Sequence, residues 1–157
     1  MKAVFDERQR LHDPKNFLVR GKLRPHPEQP ARIDALYSGA SEAGCQFITP
    51  EDHGLGPIAA IHSVEYLTFL ETVHERWKQL DDASEEVIPN IHPDRRTAGY
   101  PQSVVGQAGF HQADTACPIG EGSWEAIYWS AQTALSSADL IITGEPVAYA
   151  LCRPCGH

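Results

Sequence analysis

A short apolar run near the end of the sequence constrains the fold more than any other feature. Residues 147–152 contain no charged side chain, with Gly144-Glu145-Pro146 before them and Arg153-Pro154 after them. A run of this length between breakers is typical of a strand that is covered on both faces, as in a parallel sheet. The run therefore predicts a buried strand of a parallel sheet.

Two amphipathic helices are predicted in the first half of the chain. The first begins near Pro27 and Pro30, which suit a first helical turn, and stops at Gly44, which can adopt the left-handed conformation. The second covers residues 63–80, with its charged residues off one apolar stripe. That stripe consists of Tyr66, Phe69, Leu70, Val73, Trp77 and Leu80.

A third strong helix is predicted after Ser123, which is a favourable N-cap. Its apolar residues recur at three- and four-residue steps: Trp124, Ile127, Tyr128, Ala131, Leu135 and Ala138. Residues 2–5 fit a first strand, a weaker helix is expected from Ser103 to about residue 116, and residues 81–101 are expected to form a long loop. The order strand, helices, strand indicates an α/β architecture within one domain, residues 1–157.

The charge balance narrows the class of partner. The 157 residues carry 21 acidic and 13 basic side chains, a formal net charge of −8, which disfavours nucleic acid and anionic membranes because both require a concentrated positive surface. Charges near the N-terminus leave no apolar core for a signal peptide. The four cysteines are spaced unlike the disulfide framework of a small secreted domain. We therefore expect a cytoplasmic location.

The most reactive cluster of the sequence follows the predicted buried strand directly. In open α/β sheets ligands bind at the carboxyl ends of the strands, and the residues at that point are Arg153-Pro154-Cys155-Gly156-His157. Arg153 can hold a backbone segment or an anion in a fixed geometry, Gly156 permits close backbone approach, and His157 can transfer a proton near neutral pH. Position and chemistry both favour a functional site here.

The same residues allow a different interpretation. Cys152, Cys155 and His157 could be three soft ligands for a metal, or the two cysteines could form a redox pair. A single Cys-x-x-Cys without a second pair is weak evidence for a zinc ribbon, and a redox pair belongs at a helix N-terminus. The remaining histidines have no spacing that marks them as metal ligands.

Three segments, taken in order, resemble the zinc-dependent deacetylases, which include histone deacetylases and bacterial acetylpolyamine amidohydrolases. They are residues 26–32 (His-Pro-Glu-Gln-Pro-Ala-Arg), residues 62–70 (His-Ser-Val-Glu-Tyr-Leu-Thr-Phe-Leu) and residues 150–157 (Ala-Leu-Cys-Arg-Pro-Cys-Gly-His). The resemblance implies a three-layer α/β fold of the arginase/deacetylase type with a central parallel sheet, incomplete in this chain. Shorter matches favour the acetylpolyamine amidohydrolase branch.

The resemblance also implies roles for individual residues. In the family the last motif reads Arg-Pro-Pro-Gly-His-His, and His157 matches the first histidine, which assists a zinc-bound water and the tetrahedral intermediate. Arg153 and Gly156 belong to the same motif, and Gly156 matches a glycine whose backbone lines the substrate tunnel. Arg32 matches an arginine beside an internal channel associated with the acetate product. Cys155 departs from the usual proline, so that the loop loses a rigid residue.

Zinc is expected in the complete family protein, where an Asp-x-His pair and a later aspartate bind it. No Asp-x-His occurs in this sequence, so we expect the chain to lack zinc ligands and to be inactive alone, as a truncated product or part of a longer protein. Its apolar helix faces would then stay exposed. The alternatives are a non-catalytic deacetylase-like scaffold and the metal or redox protein described above.

The resemblance further suggests substrates and an assembly. The parental activity would be amide hydrolysis of acetylated polyamines or other acetyl-amines, with acetyl-lysine as a further candidate. Residues 81–121 resemble the extended loop by which the amidohydrolase branch pairs its subunits, so a homodimer is expected for the complete protein.

Overall fold

The computed structural model describes residues 1–94, 96 and 99–154. Their strands are β1 (Lys2–Val4), β2 (Asn16–Val19), β3 (Lys22–Pro25), β4 (Gln46–Ile48) and β5 (Ala148–Ala150). Their α-helices are α1 (Ala31–Glu42), α2 (Gly56–Ala59), α3 (Val64–Trp77), α4 (Val104–His111) and α5 (Ser123–Ile142), and a 3-10 helix covers Glu7–Leu11. The chain divides into two compact units, one made of residues 1–13, 28–61 and the segment from Gly122 onward, the other of residues 14–27 and 62–121.

The first unit contains a three-stranded parallel sheet in the order β4-β1-β5. The central strand β1 pairs Ala3 with Phe47 of β4 on one side and with Tyr149 of β5 on the other. Ala3 and Val4 are completely buried, as expected for a strand with neighbours on both sides and both faces covered. The predicted parallel sheet and α/β class are confirmed.

The predicted last strand is shorter than the apolar run that suggested it. β5 ends at Ala150, although the N–H of Leu151 still donates to the carbonyl oxygen of Val4 at 3.0 Å. Cys152 lies outside the strand and is exposed, so its prediction as a buried strand residue was wrong. All three residues of β5 are only half-buried, because β5 is an edge strand among the described residues.

The core beside this sheet is formed by α1 and the two strand ends. Phe5, Ile33 and Leu151 form a buried cluster, and the ring of Tyr37 stacks on that of Phe47 with 3.9 Å between centroids. Helix α1 matches the predicted first helix, and Gly44 has the expected positive φ of 74°. These contacts fix the start of α1 against the sheet.

The two long helices, α3 and α5, bury different kinds of face. Helix α3 buries most of its apolar stripe, contrary to the expectation that such faces stay exposed. Helix α5 instead buries a small and polar face (Ser123, Ala126, Gln132, Thr133, Ser136 and Ser137), and its apolar stripe is half-buried or exposed. Ser123 is not the N-cap, because Gly122 occupies that position with φ 75° and Ser123 is the first, buried helical residue.

The second unit joins a hairpin to α3 and α4. The antiparallel hairpin β2–β3 turns at Arg20 and Gly21, which both have positive φ. Serine side chains cap both helices, at the residues where the sequence predicts them to start: Ser63 accepts a hydrogen bond from the N–H of Tyr66, and Ser103 accepts one from the N–H of Gly106. No helix among the described residues is long and apolar enough to cross a membrane.

Candidate functional site

Arg153 is the centre of the candidate site in the first unit. It lies three residues beyond β5, and its side chain is only 3% exposed. The guanidinium donates to Glu28 Oε1 at 2.7 Å and to the carbonyl oxygens of Gln9 at 3.1 Å and His12 at 2.5 Å. This fork ties two segments, residues 9–12 and Glu28, to the carboxyl end of β5, and holding backbone in this way is a role that arginine chemistry permits.

Glu28 lies between two arginines. Its Oε1 accepts the hydrogen bond from Arg153, and its Oε2 accepts one from Nη1 of Arg32 on the first turn of α1. The Glu28 side chain is 8% exposed, whereas that of Arg32 is 55% exposed. Glu28 and Arg153 therefore form the buried structural ion pair, and Arg32 adds a largely exposed contact to the same carboxylate. The channel role of Arg32 stays a prediction.

Gln9 is a part of the site that sequence reasoning missed. It is completely buried, its Oε1 accepts a hydrogen bond of 2.5 Å from the backbone N–H of Arg153, and its Nε2 donates to Thr133 Oγ1 at 3.1 Å. One amide thus links the 3-10 helix, helix α5 and the segment after β5. No local pattern marks Gln9, because both partners lie far along the chain.

The segment that carries Gln9 is fixed at its start. Asp6 caps the 3-10 helix by accepting hydrogen bonds from the backbone and side chain of Arg8. Burial acts to raise the pKa of the Asp6 carboxyl, but the bonds and charge of Arg8 outweigh it, so that its pKa lies below the usual value. The guanidinium of Arg8 also lies 3.2 Å from the ring centroid of Trp129.

His12 contributes to the same region through its backbone and its ring. The carbonyl oxygen accepts from Arg153, and ring Nδ1 lies 2.9 Å from Oγ of Ser123. Both His12 and Ser123 are buried. This contact explains why a serine at the start of α5 is turned inward rather than capping the helix. His12 is a packing residue, in agreement with its unremarkable sequence context.

The predicted catalytic histidine and its neighbours are not part of the described chain. His157, Gly156 and Cys155 all lie outside the described residues. Their predicted roles as catalytic residue, tunnel-lining residue and substituted proline therefore stay predictions. The structure describes the two residues directly before them, Arg153 and Pro154, which are joined by a cis peptide bond.

The described residues do not fit a zinc site. Within residues 1–94, 96 and 99–154 no group of three or more His, Cys, Asp and Glu side chains could hold a metal ion. Cys152, a candidate ligand, has its Sγ 3.5 Å from the carbonyl oxygen of Ser130. Although the residue as a whole is exposed, desolvation of its thiol raises the thiol's pKa, which lowers its thiolate fraction and weakens it as a ligand or nucleophile.

The fold and the anchored motif define a class, an α/β protein in which a buried arginine follows a strand of a parallel sheet. The chain belongs to the histone deacetylase family, because its residues 26–157 match the histone deacetylase domain. The matched region begins at the segment that contains Glu28 and Arg32 and includes the one that contains Arg153. The family expectation from the sequence is confirmed.

Several relatives are acetylpolyamine amidohydrolases. Those of Burkholderia pseudomallei, Pseudomonas aeruginosa (amidohydrolase 1) and Mycoplana ramosa are 44%, 35% and 34% identical to this chain. Each match covers 100% of this chain and 46% of the relative. The crystal structure of the Burkholderia pseudomallei acetylpolyamine aminohydrolase matches with a TM-score of 0.95. The chain thus has the fold of this part of the relatives and spans less than half of their length.

Proposed function

We propose that this chain supplies one wall of the active site of a zinc-dependent amidohydrolase that removes acetyl groups from acetylated polyamines or related acetyl-amines. The observation that supports the proposal is the buried anchor of Arg153 at the carboxyl end of β5 in a chain of the histone deacetylase family. Such an anchor holds Arg153, the first residue of the motif that contains His157, in a fixed position, and a catalytic group requires such support.

The proposal assigns different tasks to this chain and to the rest of the domain. Residues 1–157 are treated as the N-terminal part of one deacetylase domain. His157 would orient a water and stabilise developing charge, with Gly156 at the substrate tunnel and Arg32 at the product channel. Zinc would supply Lewis acidity when bound, and because the sequence contains no Asp-x-His pair, its ligands are proposed to lie in the remaining part of the domain.

The substrate class rests on the relatives. Three of them are named for acetylpolyamines, at 34% to 44% identity. The formal net charge of −8 is compatible with a cationic amine, which an acidic surface attracts. Acetylated polyamines are therefore the preferred substrate, and an acetyl-lysine peptide is the comparison.

A chimera tests this proposal. Residues 1–157 are joined to the remaining part of the Burkholderia pseudomallei relative, and acetate release is measured with an acetylated polyamine and with an acetyl-lysine peptide. We expect zinc-dependent turnover with the polyamine preferred. In the same chimera, His157→Ala should lower kcat/KM by about 10²- to 10⁴-fold, as expected for the loss of a positioned acid or base.

Two results of that assay would contradict the proposal. A folded, zinc-loaded chimera without turnover would mean that this chain does not form a functional side of the active site. A His157→Ala chimera with unchanged kcat/KM would remove His157 from the catalytic role. Circular dichroism and bound zinc, measured on both chimeras, separate these outcomes from misfolding.

A homodimer is proposed for the complete protein through residues 81–121. The described part of this region contains α4 and a bridge between Val87 and Ile119, and it exposes Ile91 and Tyr100. Sedimentation of the chimera should give a dimer that Ile91→Asp weakens. A monomer at all concentrations would contradict the assembly without affecting the proposed chemistry.

A further inference from the structure

The second unit contains a cleft that the proposed reaction does not use. Its volume is about 280 Å³, and all of its lining residues belong to this unit. Helix α3 contributes Glu65, Phe69 and Arg76 to the lining, and the segment that leads into α4 contributes Tyr100 and Gln107 of α4 itself follows. The cleft thus combines one acidic and one basic side chain with aromatic rings and an amide.

The two charged side chains of the cleft have no ion-pair partner. Glu65 lies in the first turn of α3 and Arg76 in its last turn, so that about 16 Å of helix axis separates their Cα atoms at 1.5 Å per residue. Among the described residues, neither side chain is held by an ion pair or a side-chain hydrogen bond. Side chains of a helix lean toward its N-terminus, so Arg76 extends back along α3 in the direction of Glu65. The cleft therefore presents a negative group and a positive group along its length, and both are available.

The phenol of Tyr100 lies close to both charges. Its hydroxyl is 2.9 Å from Nε2 of His111. Burial raises the pKa of this phenol above its ordinary value, the positive charge of Arg76 acts to lower it, and the negative charge of Glu65 acts to raise it. Since both charges act on one side chain, Glu65 and Arg76 border the same space.

The part of the cleft between the charges offers apolar surface and one acceptor. Phe69 is 1% exposed and forms its buried wall. Gln107 donates from Nε2 to the carbonyl oxygen of Pro101 at 2.9 Å, whereas its buried Oε1 accepts no hydrogen bond from the described residues. A buried acceptor without a donor is unfavourable. A ligand with N–H groups and an alkyl chain would satisfy both features.

We propose that this cleft binds a small zwitterion of the ω-amino acid class. The ammonium group would pair with Glu65, the carboxylate with Arg76, and the alkyl chain would lie along Phe69 and Tyr100. A guanidinium matches a carboxylate through two parallel N–H groups, and an ammonium group near an aromatic ring gains a cation–π contact. A polyamine fits less well, because its positive charges would face Arg76. The ligand class therefore differs from that of the proposed active site.

Isothermal titration of the 157-residue chain with 6-aminohexanoate tests the proposal. We expect a dissociation constant of about 1 mM or below at low ionic strength, weakened by added salt. Hexylamine, hexanoate and 1,6-diaminohexane should each bind at least about tenfold more weakly, because each leaves one charge of the cleft unpaired. Circular dichroism shows that the titrated chain is folded, and the chimera takes its place if the isolated chain is not.

Substitutions assign each end of the ligand to one residue. Glu65→Gln should abolish the preference for 6-aminohexanoate over hexanoate, and Arg76→Gln should abolish the preference over hexylamine. Both substitutions remove a charge and keep a long polar side chain. Glu71→Gln is the matched control, because Glu71 is an exposed residue of the same helix and does not line the cleft. It should leave all affinities unchanged.

Three results would overturn the proposal. They are no binding of 6-aminohexanoate by the folded protein, equal affinity for the zwitterion and the singly charged compounds, and equal losses from Glu65→Gln and Glu71→Gln. The titration measures binding without turnover and involves neither His157 nor zinc. Its outcome is therefore independent of the proposed function.

Discussion

Glu28 Oε1 accepts a hydrogen bond of 2.7 Å from Nε of Arg153, and the two side chains are 8% and 3% exposed. This buried ion pair joins the segment before α1 to the segment after β5. A buried charge without its partner is strongly unfavourable, so each residue depends on the other. The pair therefore couples the two family motifs of the chain through one contact.

Removing the carboxylate should destabilise the first unit. Glu28→Ala leaves the Arg153 guanidinium buried with carbonyl partners alone, and we expect a loss of about 3–5 kcal/mol in the free energy of unfolding. Arg32→Ala is the control, because its side chain is 55% exposed and should contribute no more than about 1 kcal/mol. Urea denaturation measures both. Equal losses would mean that Arg153 does not depend on Glu28.

The buried amide of Gln9 predicts a second loss. Gln9→Leu keeps the volume but leaves the backbone N–H of Arg153 and the hydroxyl of Thr133 without this partner. An unsatisfied buried donor costs about 1–3 kcal/mol. Amide hydrogen exchange at Arg153 should become faster, and the free energy of opening that it reports should fall by at least this amount. Unchanged exchange would show that the N–H of Arg153 is held by another contact.

Acid should weaken the cap of the 3-10 helix. The pKa of Asp6 is lowered in the folded chain, so its ionised form stabilises the fold above the unfolded pKa and this contribution is lost as the pH falls through the folded pKa. The unsubstituted chain and Asp6→Asn differ in their free energy of unfolding. This difference should shrink as the pH falls below 3.8, the ordinary pKa of an aspartate carboxyl. A difference that is constant with pH would contradict the role of Asp6.

Two helical glycines should respond oppositely to alanine. A Cβ on Gly109 of α4 would overlap the carbonyl oxygen of Ile91, whereas one on Gly39 of α1 meets nothing within 4 Å. Gly109→Ala should cost about 1–3 kcal/mol or more through overpacking, and Gly39→Ala should gain about 0.5–1 kcal/mol in helix propensity. Thermal denaturation compares them. If Gly109→Ala were stabilising, the backbone at Ile91 would have to move away from α4 at little cost in free energy.

Local signals predicted the helices better than the strands. Helices α3 and α4 begin directly after Ser63 and Ser103, where the sequence predicts helices to start, and both serines cap them. The one cap that the sequence predicts, Ser123, is wrong. The hairpin at Arg20-Gly21 was missed although a glycine in its turn is a known signal. Strand β4 has three residues, too few for an alternating pattern to be recognised.

Long-range polar contacts explain the other errors. The sequence of α5 predicts a helix correctly, but its orientation depends on Gln132 and Ser136 binding residues 51–54, which are remote in the chain. Arg153 was recognised from its position after an apolar run, whereas Gln9 was not, because a lone glutamine in a polar segment has no distinguishing pattern. A site residue such as Arg153 can thus be predicted when both its chemistry and its position in the sequence point to a site. A residue such as Gln9, which is set only by long-range contacts, cannot.

The pairing of β1 with β5 has a consequence for biosynthesis. Ala3 and its neighbour Tyr149 are separated by almost the whole chain, and a ribosome adds about 5–20 residues per second. The first strand therefore waits on the order of 10 seconds for its second neighbour after it has been synthesised. Strand β4 can pair much earlier, and during the remaining time one edge of β1 is available to chaperones or to other nascent chains.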